Sequence, residues 1–249
     1  MSNYFKNFNK VLYLFGDEVS PVAVQNLTNY SKVIDQFADE ISAYIEYEIK
    51  DFERPDSLSH QLYEDATYDW TFFLMNSKLR EQGWPLPLQE VYDKAKTFYY
   101  KDWTCKLDIT TADSAAEFST KYPVGSEVFL GTSKLLVKSK NLQVGEITVT
   151  SPYYSPDSDF SGITTLTSLT VGSEQLAIKN TVREMFGTHH YENDSAERVD
   201  LYFDADAPKI LKTNLDFLIA ENDKLKKIRI INKKNISQIV GAFKSSLGQ

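Results

Sequence analysis

Residues 44–76 read YIEYEIKDFERPDSLSHQLYEDATYDWTFFLMN, and the fold turns on how this stretch is interpreted. Tyr44, Glu46 and Glu48 alternate with Ile45, Tyr47 and Ile49, the period of two that a strand shows when one face is buried. Lys50 to Glu53 supply a polar turn. Pro55 suits the first position of a helix, where its missing N–H costs little, and it pushes Arg54 out of helical geometry. Leu58 and Leu62, with Gln61 beside them, give that helix its inner face. Asp65 or Thr67 can cap the next helix, on which Trp70, Phe73 and Leu74 lie at three- and four-residue spacing and point into one core. The expected core of the module is therefore Ile45, Tyr47, Ile49, Leu58, Leu62, Trp70, Phe73 and Leu74.

Downstream, Gly83-Trp84-Pro85-Leu86-Pro87 is a turn that cannot be helical interior. Leu88, Val91, Tyr92, Ala95 and Tyr99 then predict a short amphipathic helix. A LysM-type module, which this order of strand and helices resembles, should return to its sheet with a second strand soon after its second helix, and none is evident before residue 100. The best candidate is Ile228–Ile231, paired antiparallel with Tyr44–Ile49, so that residues 101–210 form an excursion between the two. Within that excursion Leu107–Ile109, Val128–Leu130, Leu135–Val137 and Ile147–Val149 are separated by Gly125, Gly131, Asn141 and Gly145. Strands at such spacing predict an antiparallel sheet or small barrel. They resume around Ile163–Val171 and Leu176–Ile178, and a hairpin from His190 to Phe203 turns through Glu192–Ser195. Thr213 can cap a helix running to about Lys226, and Ile236, Ile239, Val240, Phe243 and Leu247 make one face of a last helix. Upstream, residues 1–18 carry Tyr4, Phe5, Phe8, Leu12, Tyr13, Leu14 and Phe15 without a clean helical or strand period. From Gln25 to Ile41 the spacing supports a helix.

Strand, helix, short turn and helix in this order look like the first three-quarters of a LysM-type module, and free LysM domains bind N-acetylglucosamine polymers. The wider pattern is more specific. Tyr47-Glu48-Ile49, Arg54-Pro55-Asp56, Leu62-Tyr63, Tyr68, Trp70, Leu74-Met75-Asn76 and Gly83-Trp84-Pro85 come first. Glu221-Asn222-Asp223-Lys224-Leu225 and Ile228-Arg229-Ile230-Ile231 follow far downstream. Together they resemble the LysM-like baseplate wedge subunit of T-even-type contractile-tailed bacteriophages, over residues 25–100 and 210–245. The expected fold is α+β: the LysM-like strand-helix-helix core that the resemblance implies, completed by C-terminal elements, with an inserted antiparallel β-rich region to which the resemblance does not extend. Three segments follow from it: an N-terminal arm and LysM-like module (1–100), the insertion (101–210), and a C-terminal helix-strand-helix packed back on the module (211–249).

The implied function is that of a non-enzymatic wedge protein in the virion's tail baseplate, assembled in the host cytoplasm without a cofactor. Its implied partners are other baseplate wedge subunits and neighbouring wedges, in multiple copies around a symmetric ring, with no nucleic acid and no membrane. Partner contacts are expected from Phe5, Phe8, Tyr13, Phe15, Tyr68 and Trp84 as apolar anchors, with Lys224, Lys226, Lys227 and Arg229 giving orientation. The alternative is a LysM-type binder of peptidoglycan or another N-acetylglucosamine polymer. Against it, Trp70, Phe72, Phe73, Leu74 and Met75 wrap most of a helix in apolar surface, as expected of a helix buried on more than one side.

Composition agrees with a packed, acidic protein. Of 249 residues 42% are hydrophobic and 13% aromatic, which argues against disorder. The formal charge of −8 disfavours indiscriminate nucleic-acid binding. MSNYFKNFNKVLYLFGDE is too polar for a signal peptide, and no window approaches a membrane span. Cys105 is the only cysteine, so no internal disulfide can form and folding in a reducing cytoplasm is expected. No metal site and no catalytic group is expected. His189 and His190, beside Glu192 and Asp194, should point to opposite faces of a strand and so not share a metal. His60 reads as a surface or packing residue. Asp157, Asp159, Ser161 and Gly162 open like a calcium loop, but Ser168 stands where a bidentate Glu is needed. Cys105 reads as a packing residue despite its neighbour Lys106.

Overall fold

The computed structural model describes residues 10–14, 16, 20–25, 44–107, 120, 122–141, 144–152, 159–163, 165–168, 174–199 and 209–246. Strands β1 (Lys10–Tyr13), β2 (Val22–Gln25) and β3 (Tyr44–Glu48) precede helices α1 (Pro55–Tyr63), α2 (Trp70–Met75), α3 (Ser77–Gln82) and α4 (Leu88–Phe98). Six strands follow: β4 (Asp102–Leu107), β5 (Glu127–Leu130), β6 (Ser133–Asn141), β7 (Glu146–Thr150), β8 (Thr165–Ser168) and β9 (Glu174–Arg183). The chain ends with β10 (Thr188–Glu192), β11 (Arg198–Val199), β12 (Ile210–Thr213), α5 (Asn214–Lys226), β13 (Lys227–Ile231) and α6 (Ile236–Ser246). Helices and antiparallel sheets together make this a mixed α+β chain. It divides into two compact units, residues 1–87 with 221–249 and residues 88–220. Helix α4 therefore falls with the β-rich residues, and the chain returns within α5 at Ala220 instead of near residue 210.

In the first unit β3 pairs antiparallel with β13: Lys227 lies opposite Glu48, Arg229 opposite Glu46 and Ile231 opposite Tyr44. This is the partner that the sequence pattern left for that strand. Arg54 is extended (φ −95°, ψ 147°) before Pro55 opens α1. Glu64, left-handed at φ 63°, ends that helix, and the Asp65 carboxylate then accepts the Thr67 N–H at 2.8 Å. Asp65 thus caps a short 3-10 turn, Ala66–Tyr68, and not α2 itself. Leu58, Tyr63, Trp70, Phe72 and Leu74 pack with Ile228, Ile230, Ile231, Ile236, Ile239, Val240 and Phe243 in one core. The Trp70 ring lies 4.9 Å from that of Phe243, and the Tyr63 hydroxyl donates to the Ile231 carbonyl at 2.9 Å.

Three expectations for this unit are corrected. Ile45 is 49% exposed and not core, because α2 packs on β13 and leaves the beginning of the outer strand open. Leu62, Phe73 and Tyr47 sit only partly buried at the core's margin, while Tyr63 and Phe72 occupy its interior. With apolar side chains almost all round α2, periodicity alone cannot say which of them turns innermost. The arm that showed no clean period contains a strand: β1 pairs antiparallel with β2, Lys10 opposite Gln25 and Tyr13 opposite Val22. Phe5, Phe8, Phe15 and, apart from Gln25 at the end of β2, the helix expected over Gln25–Ile41 lie outside the described residues.

In the second unit six strands close into an antiparallel barrel in the order β4-β7-β6-β5-β8-β9. Trp103, Cys105 and Leu107, Val128 and Leu130, Leu135 and Val137, Ile147 and Val149 alternate into its core, the period of two that a half-buried strand requires. On β4 the other face is covered too, so Asp102 and Thr104 are also buried. A second sheet of order β11-β10-β12 follows. Thr213 caps α5 reciprocally with Asp216, whose N–H donates to the Thr213 hydroxyl at 3.1 Å while the Thr213 N–H donates back to its carboxylate at 2.9 Å. Val91 and Ala95 are buried on α4, whereas Leu88, expected on its inner face, is 62% exposed at the first position.

Candidate functional site

A concavity of about 830 Å³ in the first unit runs beside the β3–β13 sheet. Glu46 and Glu48 from β3, Lys227 and Arg229 from β13, and Asn76 and Lys78 from the α2–α3 junction contribute to its walls. Cross-strand placement sets Glu48 against Lys227 and Glu46 against Arg229, a favourable pairing of charges on one sheet face. Asn76 supplies the tightest feature. Its Nδ2 donates to the Arg229 carbonyl at 2.8 Å, and its Oδ1 accepts the Arg229 N–H at 2.8 Å. Asn222 does the same for Leu86, accepting its N–H at 2.8 Å and donating to its carbonyl at 2.9 Å. Both asparagines fall within the segments that carry the wedge-subunit resemblance, yet nothing in their spacing announces a backbone clamp.

The aromatic candidates for partner or sugar contact are engaged by their own unit. Trp84 packs against Phe72 and Phe73, with ring centroids 5.8 and 6.0 Å away, and its indole N–H donates to the Glu53 carbonyl at 2.7 Å. Tyr68 meets Tyr63 edge-on at 6.1 Å. Both were expected to contact partners; each is partly buried, with its ring packed on the aromatic cluster around Phe72. Tyr47, which also lines the groove, donates its hydroxyl to Glu53 at 2.9 Å. Burial, then that carboxylate, pushes its phenol up to about 12. Phe52 differs: it is 81% exposed in the turn before α1, at φ 65°.

The basic run is narrower as a surface than its composition suggests. Lys226 is held by Asp51 at 3.0 Å and Asp223 at 2.9 Å, hydrogen bonds that raise its pKa above the ordinary lysine value, Asp223 first. Lys224 pairs with Glu221, and Lys233 with Glu64 at 2.6 Å. Arg229 lies over the Tyr44 ring at 4.7 Å. Lys226, expected to orient a partner, is engaged with two carboxylates of its own unit, while Lys227 and Arg229 lie exposed on the sheet face. Tyr13, in the β1–β2 hairpin, is 55% exposed.

The barrel unit holds the remaining candidate chemistry. Contrary to expectation, His189 and His190 do not diverge: their Nδ1 atoms are 2.7 Å apart. A bulge between Thr188 and His190 breaks the strand's alternation. One Nδ1 must donate and the other accept, so at least one of the rings is neutral. His189 stacks on Phe217 at 4.0 Å, and burial, with His190 and Arg198, lowers its pKa. His190 Nε2 reaches Glu192 at 2.9 Å. Among the described residues no three His, Cys, Asp or Glu side chains are arranged to hold a metal. Asp159 accepts the Ser161 N–H at 2.9 Å in a local turn, and Asp157 lies outside the described residues. Cys105 is buried in the barrel, which pushes its thiol up to about 12; a thiol kept protonated is a poor nucleophile.

The polar layer on the barrel's outer wall escaped the sequence reading altogether. Glu184 accepts from the hydroxyls of Thr104 and Thr148, and Asn214 donates to its carbonyl at 2.7 Å. Nearby Glu146 accepts the Thr188 hydroxyl at 2.6 Å and pairs with Lys106 at 3.2 Å. Gly187 allows this approach, since a Cβ there would stand 2.6 Å from the Thr104 hydroxyl. No family model matches the chain, and no curated protein matches it.

Proposed function

We propose that this chain is a structural, non-enzymatic wedge protein of a contractile phage tail baseplate, joining neighbouring wedge subunits around the hub. The wedge-subunit resemblance of residues 25–100 and 210–245 motivates the reading. Its strongest structural support is the β1–β2 hairpin. Val11, Leu12, Tyr13, Leu14 and Val22 are between 40% and 71% exposed there. A two-stranded hairpin with such apolar surface is marginal in water by itself and gains stability when other protein covers it. The mechanism is differential contact: surfaces that favour one arrangement of an assembly and yield in another. Co-expression with the other wedge subunits of its virion is the test. Joint purification is expected, and its loss on Leu12→Asp/Val22→Asp with melting unchanged would tie it to the hairpin. A chain that stays apart from every wedge subunit overturns the reading.

One observation favours the alternative, a LysM-type binder of N-acetylglucosamine polymers: the exposed Phe52 ring. Saturable retention on purified peptidoglycan, abolished by Phe52→Ala, would replace the wedge reading. Trp84→Ala is the poorer probe, because that ring supports the core.

A further inference from the structure

The two outer edges of the β3–β13 sheet are finished differently. Ile49 N–H donates to the Lys226 carbonyl at 2.9 Å. In the antiparallel register Tyr47–Ile228 and Ile45–Ile230 are therefore the hydrogen-bonded pairs, and Glu46, Glu48 and Arg229 turn their N–H and C=O groups outward. On the β13 side the Asn76 carboxamide takes both outward groups of Arg229. On the β3 side the outward backbone groups of Glu46 and Glu48 have no partner among the described residues. An unpaired edge is a template for another strand.

We propose that β3 is a docking edge for an extended segment of another polypeptide in which Lys or Arg alternates with aliphatic residues. A strand laid beside β3 places every second side chain next to Glu46 and Glu48, where opposite charge is favoured and like charge is not. The intervening side chains fall beside Tyr47 and the half-exposed Ile45. Lys227, Ile228, Arg229 and Ile230 already satisfy this pattern on the strand's other side. A second copy fits poorly: β3 against β3 would oppose glutamates, and Asn76 closes the copy's β13. None of the chain's own undescribed segments alternates basic and aliphatic residues in this way. Strand addition of this kind draws affinity from main-chain hydrogen bonds and specificity from alternate side chains. The inference rests on the edge alone and holds whether or not the assembly is a tail.

The probe is the peptide KKIRIIN, the sequence of residues 226–232, added at millimolar concentration to the isotopically labelled full chain while amide exchange is followed by NMR. In the free chain the Glu46 and Glu48 amides should exchange freely and those of Ile45 and Tyr47 slowly. The peptide should slow Glu46 and Glu48 about tenfold or more and leave Ile45 and Tyr47 protected. Glu46→Pro removes the outward N–H, which an edge strand tolerates, together with the Glu46 carboxylate, and should weaken binding about tenfold or more with melting little changed. Glu46→Lys/Glu48→Lys should lose this peptide and accept one with Glu in place of each basic residue. Four results would each overturn the proposal: edge amides protected before any peptide is added, exposure of Ile45 and Tyr47 as β13 is displaced, undiminished binding to the charge-reversed chain, or no protection at all.

Discussion

The two units assemble their cores from differently distributed chain. The barrel's six strands and its polar outer layer all lie within residues 88–220. The first unit is stitched from two segments: Tyr63 bonds to a carbonyl 168 residues away, and nearly half of its described core comes from β13 and α6. The barrel closes its sheet and so removes its edges, whereas the two-stranded β3–β13 sheet keeps two and fills one with an asparagine side chain. A discontinuous unit depends on distant chain for stability, and its β3 edge meets no backbone partner among the described residues.

Ending the chain at Lys226 should break this comparison most severely. It removes Ile228, Ile230, Ile231, Ile239 and Phe243 from the first core, so that unit is expected to lose protected amides entirely while the barrel keeps its own. Equal loss in both would show that the units fold as one. Next come single cavities. Trp70→Ala should cost about 3–5 kcal/mol and Leu135→Ala about 2–5 kcal/mol, each confined to its own unit in denaturant unfolding followed by amide exchange.

Asn76→Ala, which frees both backbone groups of Arg229, is expected to cost about 1–3 kcal/mol in the first unit. It should also open the β13 edge to amide exchange. The smallest effect is a pH slope in the barrel. Burial raises the pKa of Glu184 above the ordinary 4.5, against the lowering by Thr104 and Thr148. Its stabilising contribution is therefore complete below that ordinary value and is lost as pH rises through the raised folded value. Glu184→Gln should flatten the decline in barrel melting temperature as pH rises above the ordinary carboxylate value; an unchanged slope would assign it to another group.

Much of this was legible in local pattern. Pro55 after an extended Arg54, the alternation of Glu46 and Tyr47, the face of Ile236, Ile239 and Phe243, and Thr213 before α5 all follow from rules that reach only a few residues. The glycine-punctuated strands announced an antiparallel sheet or barrel. Local pattern could not rank Phe72 above Phe73, because both lie on a helix apolar nearly all round. It could not foresee Trp84 or Tyr68 turned onto their own core, nor the bulge that brings His189 to His190.

By itself, then, the amino-acid order determined where helices and strands begin, which strand lacked a neighbour, and that the only cysteine would pack inside. Dihedral preference and hydrophobic period are properties of adjacent residues. The tertiary structure alone decided that Asn76 would close one sheet edge while the outward backbone groups of Glu46 and Glu48 meet no partner among the described residues. It alone gathered Glu184, Thr104, Thr148 and Asn214 into one polar layer. Those arrangements depend on groups far apart in sequence meeting at hydrogen-bond distance, and no period records that meeting.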